Sequence, residues 1–204
     1  MNALTIFIIR HAEKPGGDWP GPGLTDNGVA DKESLVIRGW QRAGAWTALF
    51  GAGLGGSDYQ TPQAIYAADP DDPKKSDLGG KHDEPSQRPY ETVLPVAQRL
   101  GLEPPAFNTS FAKGQEAALV AALQDLSGVV LVAWEHKTII SDILPKLPVS
   151  NEGDLPMHWS GKRFDVVLRF VRAAGASDFV FTELHPCLMS GDSNKPLKSD
   201  PKDD

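Results

Sequence analysis

The sequence predicts a three-layer α/β/α domain with a mostly parallel β-sheet. Two stretches carry this prediction, because Leu4–Ile9 and Gly128–Trp134 are apolar runs rich in β-branched and aromatic residues. A continuous apolar run indicates a strand that is buried on both faces, as in a parallel sheet covered by helices. Segments with the spacing of amphipathic helices lie between such runs, so strands and helices alternate along the chain.

The length and composition fit one globular domain. The chain has 204 residues, 40% of them hydrophobic, and two full domains would be cramped at this length. We expect the domain to span residues 1–190. The remaining residues, 191–204, are polar with a single leucine, which predicts a disordered tail.

Charge and cysteine content narrow the classes of partner. The formal net charge of −7 argues against nonspecific binding to nucleic acid or to an anionic membrane, because both need a positive field. Cys187 is the single cysteine, so no disulfide can form within the chain, and a reducing cytoplasm is the expected compartment. No apolar run has the length of a membrane span or the pattern of a signal peptide. The oligomeric state stays open.

The first half of the chain predicts two strands, two helices and two long loops. The second loop contains His82, Asp83 and Glu84, which we expect to be solvated, so no metal site is predicted there. In chain order the segments are a strand at 4–9, a Gly- and Pro-rich loop at 15–27, a helix from 34 to 50, a strand at 64–68, a loop at 69–87 and a helix from 88 to 100.

The second half predicts two helices and three strands. A Pro-containing link at 101–111 comes first. It is followed by a helix at 113–126, a strand at 128–134, a helix that ends near Pro145 or Pro148, and strands at 164–171 and 179–184.

Charged and imidazole side chains follow both buried strands. Arg10 and His11 come directly after the first strand, and His136 comes after the second. Open α/β sheets bind their ligands at the carboxyl ends of the strands, so these residues should meet at one edge. Arg88 stands at the start of a predicted helix, where free N–H groups and the helix dipole favour an anion. Together these residues predict a phosphate site.

Three stretches resemble the signature of the histidine phosphatase (phosphoglycerate mutase-like) superfamily. The first is Arg10-His11 followed by a small residue, which is Ala12 here and usually Gly in the superfamily. The second, Ser86–Thr92, places Arg and then Thr at the start of a helix. The third, Trp134–His136, places a second histidine after a strand. The resemblance covers roughly residues 4–190 and implies a phosphoglycerate mutase-like fold.

The resemblance also implies a reaction. His11 would attack phosphorus and form a phosphohistidine that water hydrolyses, while Arg10, Arg88 and His136 would bind the phosphoryl oxygens. Neutral imidazole can act as this nucleophile at neutral pH without a separate base. The fixed cations would supply the charge that the transferring group needs, so neither a metal nor a cofactor is expected. The expected substrate is a small-molecule phosphomonoester or a phosphorylated protein.

The general acid is left open between two residues. Acid-phosphatase relatives have an Asp at the position of Lys137 and an Arg at the position of Lys14, so the proton must come from elsewhere. Glu135 is slightly favoured for a functional role, although alternation along a strand would turn it away from His136. Glu116 lies near the place where mutase-like relatives carry their acid.

Three alternatives to a phosphatase of phosphomonoesters remain at this point. The chain could be a mutase-like phosphotransferase, a phosphohistidine protein phosphatase or a catalytically weak phosphate-binding domain. The departures at Ala12, Lys14 and Lys137 are the residues that favour the weak binding domain.

Overall fold

Six strands form a single mixed sheet in the computed structural model, which describes residues 1–16, 18–71 and 86–198. In spatial order the strands are β3-β2-β4-β1-β5-β6. Their bounds are β1 (Leu4–Arg10), β2 (Ala64–Ala68), β3 (Phe107–Phe111), β4 (Gly128–Trp134), β5 (Val167–Arg172) and β6 (Val180–Leu184).

Strand direction follows from the pairing. Parallel ladders join β3 to β2, β2 to β4 and β4 to β1. β5 pairs antiparallel with both β1 and β6, so β5 alone runs against the other described strands. The predicted mostly parallel α/β sheet is therefore confirmed.

Helices cover both faces of the sheet. The α-helices are α1 (Ile37–Trp46), α2 (Arg88–Leu100), α3 (Glu116–Gln124) and the single turn α4 (His136–Thr138). Alternation along β1 sends Phe7 and Ile9 into a core with side chains of α1 and α2, and sends Ile6 and Ile8 into a second core with α3. β1 is buried on both faces, as its continuous apolar run predicts.

Several predicted element bounds are wrong. β3 lies inside the predicted link 101–111, because its residues Phe-Asn-Thr-Ser-Phe are half-buried and mostly polar and carry no strand pattern. α1 begins at Ile37 rather than Ser34, since the Ser34 hydroxyl donates to the Asp31 carboxylate instead of capping the helix. Ile37, the first residue of α1, is apolar and yet 59% exposed.

The segment after β4 is less regular than predicted. Instead of one long helix, α4 is followed by a π-helical turn at Ile139–Ile143 and a 3₁₀ turn at Leu144–Lys146. Pro145 lies within the 3₁₀ turn, and proline cannot donate the hydrogen bond that would continue an α-helix.

The described part of the predicted tail, which we call the C-terminal segment (Gly191–Lys198), makes contacts with other parts of the chain. Asp192 pairs with Arg42, and the N–H of Leu197 donates to the Glu183 carboxylate over 2.7 Å. Leu197 itself is only 8% exposed. These contacts join the segment to residues that are distant in sequence, which its composition does not reveal.

Residues 72–85 and 199–204 lie outside the described residues, and so does the predicted solvated trio His82, Asp83 and Glu84. The Gln87 side-chain amide donates to the Pro70 carbonyl over 3.0 Å. Within the described ranges, every helix is too short or too polar to cross a bilayer.

Candidate active site

The register between β1 and β4 brings the two strand-end histidines together. Arg10 is the partner of Trp134 in the ladder, and the His11 N–H donates to the Trp134 carbonyl over 2.9 Å. The rings of His11 and His136 lie with centroids 6.4 Å apart at 75°. The two histidines predicted to meet at the carboxyl edge of the sheet do so.

His11 is buried, and its neighbours fix its tautomer. Nδ1 lies 2.8 Å from the Ala12 carbonyl oxygen, which can only accept a hydrogen bond, so Nδ1 carries the proton and Nε2 keeps a free lone pair. Burial lowers the pKa of His11 well below 6.5, and the positive charges of Arg10 and Arg88 lower it further. The ring is therefore neutral at neutral pH.

Arg10 is 1% exposed and is held mainly by backbone. Its Nη1 donates to the carbonyls of Ser160, Gly161 and Arg163 over 3.1, 3.1 and 2.8 Å. The guanidinium carbon lies 3.8 Å from the ring centre of Phe164, which also packs near His11. Burial lowers the pKa of Arg10 to about 9, so the group stays cationic at neutral pH.

Arg88 opens α2, as predicted, and α2 is tied to residues 11–14, the segment after β1 that we call the His11 loop. The N–H of Ala12 donates to the Thr92 hydroxyl over 2.8 Å, and that hydroxyl donates to the Arg88 carbonyl over 2.7 Å. The Arg88 guanidinium itself donates to the Glu33 carboxylate over 3.0 Å. It is close enough to His11 for its charge to lower the pKa of that ring.

Two of the residues predicted to bind phosphate have a buried guanidinium nitrogen without a hydrogen-bond partner among the described residues. These nitrogens are Nε of Arg10 and Nε of Arg88. A buried donor without a partner carries a free-energy cost, and an anion that accepts from it removes that cost. Both atoms belong to residues that the sequence assigned to phosphate binding.

Glu135 supports His136 rather than facing away from it. β4 ends at Trp134, so strand alternation no longer applies at Glu135. One Glu135 oxygen accepts from the N–H of Thr138 over 3.0 Å, and the other lies 2.9 Å from Nδ1 of His136. Glu135 thus caps α4 and orients the second histidine.

Burial and neighbouring charges set the pKa values of Glu135 and His136. Burial raises the pKa of Glu135, but its contacts with His136 and Thr138 outweigh burial and hold that pKa far below its usual range. Burial lowers the pKa of His136, which Glu135 opposes and Arg10 reinforces. At neutral pH the carboxylate is ionised and has no proton to give.

Glu116 ties α3 to the end of β4. One of its oxygens accepts from the indole N–H of Trp134 over 2.9 Å and from the N–H of Gly114 over 3.1 Å. The side chain is buried. These hydrogen bonds give Glu116 a place in the fold, and none of those found for it goes to His11 or His136.

Lys14 and Lys137 add positive charge around the histidines. Burial lowers the pKa of Lys14, and the nearby charges of Arg88, Arg10 and Lys137 lower it further, while Glu135 raises it. The residues that depart from the acid-phosphatase pattern therefore make this edge of the sheet more cationic. Such a field favours an anionic ligand.

Sequence reasoning missed a buried ion network beside the site. Glu13 and Arg42 pair over 2.9 Å, and Arg42 also pairs with Asp192 over 2.8 Å. The polar face of α1 can approach this closely because Gly39 has no Cβ, which would lie 2.5 Å from the Glu13 carbonyl oxygen. A charge two residues after His11 was the only sequence signal for Glu13, and no sequence pattern pairs it with Arg42 on α1.

Metal ligands are not clustered in the described part of the chain. Within residues 1–16, 18–71 and 86–198, no group of three or more His, Cys, Asp or Glu side chains is arranged to hold a metal ion.

The fold matches solved structures although the sequence matches no family model. A search of curated proteins likewise gives no match. The protein histidine phosphatase SixA, solved in complex with tungstate, superposes with a TM-score of 0.53 over 90% of this chain and 97% of the SixA chain, at 15% identity. The chain has the histidine phosphatase fold. The resemblance that three short stretches predicted is confirmed at the level of the fold.

The comparison of structures also returns mycobacterial hydrolase 2. It covers 90% of both chains at 15% identity and a TM-score of 0.46. In the histidine phosphatase fold of this chain, Arg10, His11, Arg88 and His136 gather at the carboxyl ends of β1 and β4.

Proposed function

We propose that this chain is a metal-independent phosphatase that hydrolyses phosphomonoesters through a phosphohistidine on His11. The observation that carries the proposal is the fixed tautomer of His11, since Nδ1–H is bound to the Ala12 carbonyl and Nε2 is free. A buried neutral imidazole with a bare nitrogen is a competent nucleophile. The cations around it support an anionic substrate.

The reaction has two steps. In the first, the Nε2 lone pair of His11 attacks phosphorus, the bond from phosphorus to the ester oxygen breaks, and the departing oxygen takes a proton from a solvent water molecule. In the second, water attacks phosphorus, the P–N bond breaks, and inorganic phosphate leaves with the neutral imidazole restored. Arg10, Arg88 and His136 hold the phosphoryl oxygens in both steps, which is electrostatic stabilisation by fixed donors.

Covalent trapping tests the nucleophile. Incubation with a phosphomonoester followed by an acid-free quench should place one phosphoryl group on His11, located by peptide mass spectrometry. His11→Asn should abolish both the trapped phosphate and the release of inorganic phosphate. His136→Asn is the matched control, because it should slow turnover and still leave the phosphoryl group on His11. Phosphate found on His136 would reverse the assigned roles.

The carboxylates near the site are ionised or bonded to other residues, which favours a substrate whose leaving group needs no proton donor. Glu135 is ionised at neutral pH, Glu116 binds Trp134, Glu33 binds Arg88, and Glu13 binds Arg42. A leaving group that needs no strong acid therefore suits this site. The imidazole of a phosphohistidine has this property, because its own pKa is near neutral.

This observation supports phosphohistidine protein phosphatase as the second candidate function. SixA, whose fold this chain shares, is itself described as a protein histidine phosphatase. We expect kcat/KM on a phosphohistidine peptide and on nitrophenyl phosphate to exceed that on an alkyl phosphate by about 10²–10⁴-fold, the usual contribution of a general acid.

Two variants control the comparison. Glu116→Gln should leave all three rates unchanged, because Glu116 serves the fold. Glu135→Gln should slow all three substrates alike, because it loosens His136 rather than removing a proton donor. A loss confined to the alkyl phosphate in either variant would identify that residue as the acid and remove the argument for phosphohistidine.

The same assays also test the two remaining alternatives. Transfer of the phosphoryl group to an acceptor other than water would favour the mutase. Tight phosphate binding without turnover would favour the weak binding domain.

A further inference from the structure

Arg10 depends on a loop, the 159–164 loop (Trp159–Phe164), for its position. Its Nη1 donates to three carbonyls of this loop, and Phe164 stacks against the guanidinium plane. The Arg163 carbonyl is the central acceptor, because it receives Arg10 at 2.8 Å and the indole N–H of Trp159 at 2.9 Å. The backbone path of the loop therefore decides where Arg10 lies.

The Arg163 side chain attaches this loop to the C-terminal segment. Its Nε donates to the Asp165 carboxylate over 2.7 Å. Its Nη1 and Nη2 donate to the carbonyls of Lys195 and Ser193 over 2.8 and 3.1 Å. Asp165 closes the arrangement by accepting from the N–H of Ser193 over 2.6 Å. One planar guanidinium thus makes hydrogen bonds through all three of its nitrogens.

A second link joins the same segment to the other side of the site. Asp192 binds Arg42, which binds Glu13, two residues after His11. The C-terminal segment thereby contacts the supports of both Arg10 and the His11 loop. The residues that it joins are about 150 positions apart in sequence, as in the pair Arg42 and Asp192.

We propose that Arg163 is a positioning residue for Arg10. It uses the C-terminal segment to fix the 159–164 loop, and the loop fixes the guanidinium that binds the phosphoryl group. This role rests on the proposed function in so far as Arg10 acts on phosphate. A fixed donor stabilises the transition state only while it stays in place, and a shift of about 1 Å can cost 10²-fold in rate.

Arg163→Gln tests the proposal because it removes the side-chain links and keeps the backbone carbonyl. We expect faster hydrogen exchange of the loop amides and a roughly tenfold fall in kcat with little change in KM. Arg163→Lys keeps the charge but lacks the fork, so it should give intermediate values, and it carries the same test if the Gln variant does not fold. Arg169→Gln, which loses the pair with exposed Asp58, is the matched control and should change neither quantity.

The two measurements separate the possible failures. Unchanged exchange in the loop would overturn the role of Arg163, whether or not the protein releases phosphate. Loosened exchange with unchanged kcat would show that the loop does not position Arg10 for the reaction. A wild-type chain without phosphatase activity would instead contradict the proposed function, and the exchange measurement would still decide whether Arg163 holds the loop.

Discussion

At the scale of single residues, the site combines a neutral imidazole with several fixed cations. Burial and the charge of Arg10 act in the same direction on His11, and both keep a proton off the ring. The Ala12 carbonyl then selects which nitrogen is bare. The proposed nucleophile therefore needs no carboxylate to keep it neutral, and the surrounding positive charge favours an anionic ligand.

This arrangement predicts an unusual titration for His11. In ring-nitrogen NMR spectra the folded protein should show His11 with Nδ1 protonated and Nε2 bare, and the ring should stay neutral until well below pH 6.5. The unfolded chain in urea is the control, because its histidines should titrate near 6.5. A ring protonated at Nε2, or a midpoint near 6.5, would contradict the assignment.

The lowered pKa of His11 also makes the stability of the fold depend on pH. Because the folded pKa lies below the unfolded pKa, the unfolded chain binds more protons once the pH falls below about 6.5. His11 therefore lowers the free energy of unfolding as the pH drops from about 6.5 toward its folded pKa. Urea unfolding between pH 7 and 5 should show this decrease, and His11→Asn should reduce its slope.

At the scale of elements, the start of α2 and the end of β1 are coupled by one hydroxyl. Thr92 accepts from the buried Ala12 N–H and donates to the Arg88 carbonyl. It therefore fixes the distance between the loop that carries His11 and the helix turn that carries Arg88. The Arg followed by Thr that the sequence singled out has a direct structural reason in this contact.

Thr92→Val should break this coupling at constant side-chain volume. The variant leaves the Ala12 N–H buried without a partner, which costs about 1–3 kcal/mol of unfolding free energy. Since the same bond positions the His11 loop, kcat should fall as well. Urea unfolding and steady-state kinetics measure the two effects.

Thr47→Val is the matched control for this experiment. Thr47 also donates to a backbone carbonyl, that of Ala43 over 2.8 Å, but its bond lies within one helical stretch away from the histidines. It should cost some stability and leave kcat unchanged. Equal losses of kcat in both variants would show that the Thr92 bond has no special link to the site.

At the scale of the whole molecule, the sequence predicts the central strands and the edge strand β6, and it misses β3 at the opposite edge of the sheet. β1 and β4 are apolar on both faces, so a short stretch of sequence is enough to predict each strand. β3 lies at one edge and is half-exposed, so its polar residues carry no strand signal. Its place in the sheet is set by pairing with β2, and the sequence of β3 itself gives no sign of that pairing.

The site divides in the same way. Arg10, His11, Arg88 and His136 stand directly at strand ends or a helix start, so their positions follow from the elements that carry them. The partners that hold them come from distant parts of the chain, as when the Arg163 carbonyl receives Arg10. Glu116 was an acid candidate by its place in the chain, and only the three-dimensional contact with Trp134 assigns it to the fold.

The three carbonyls that hold Arg10 have an evolutionary consequence. A carbonyl oxygen is present in every residue, so positions 160, 161 and 163 can change their side chains and still support Arg10 if the chain follows the same path. Selection at such positions therefore acts on the backbone conformation and not on the identity of the side chain. We expect distant relatives to share this support with little identity across the loop, and to be recognised by comparing structures where comparing sequences fails.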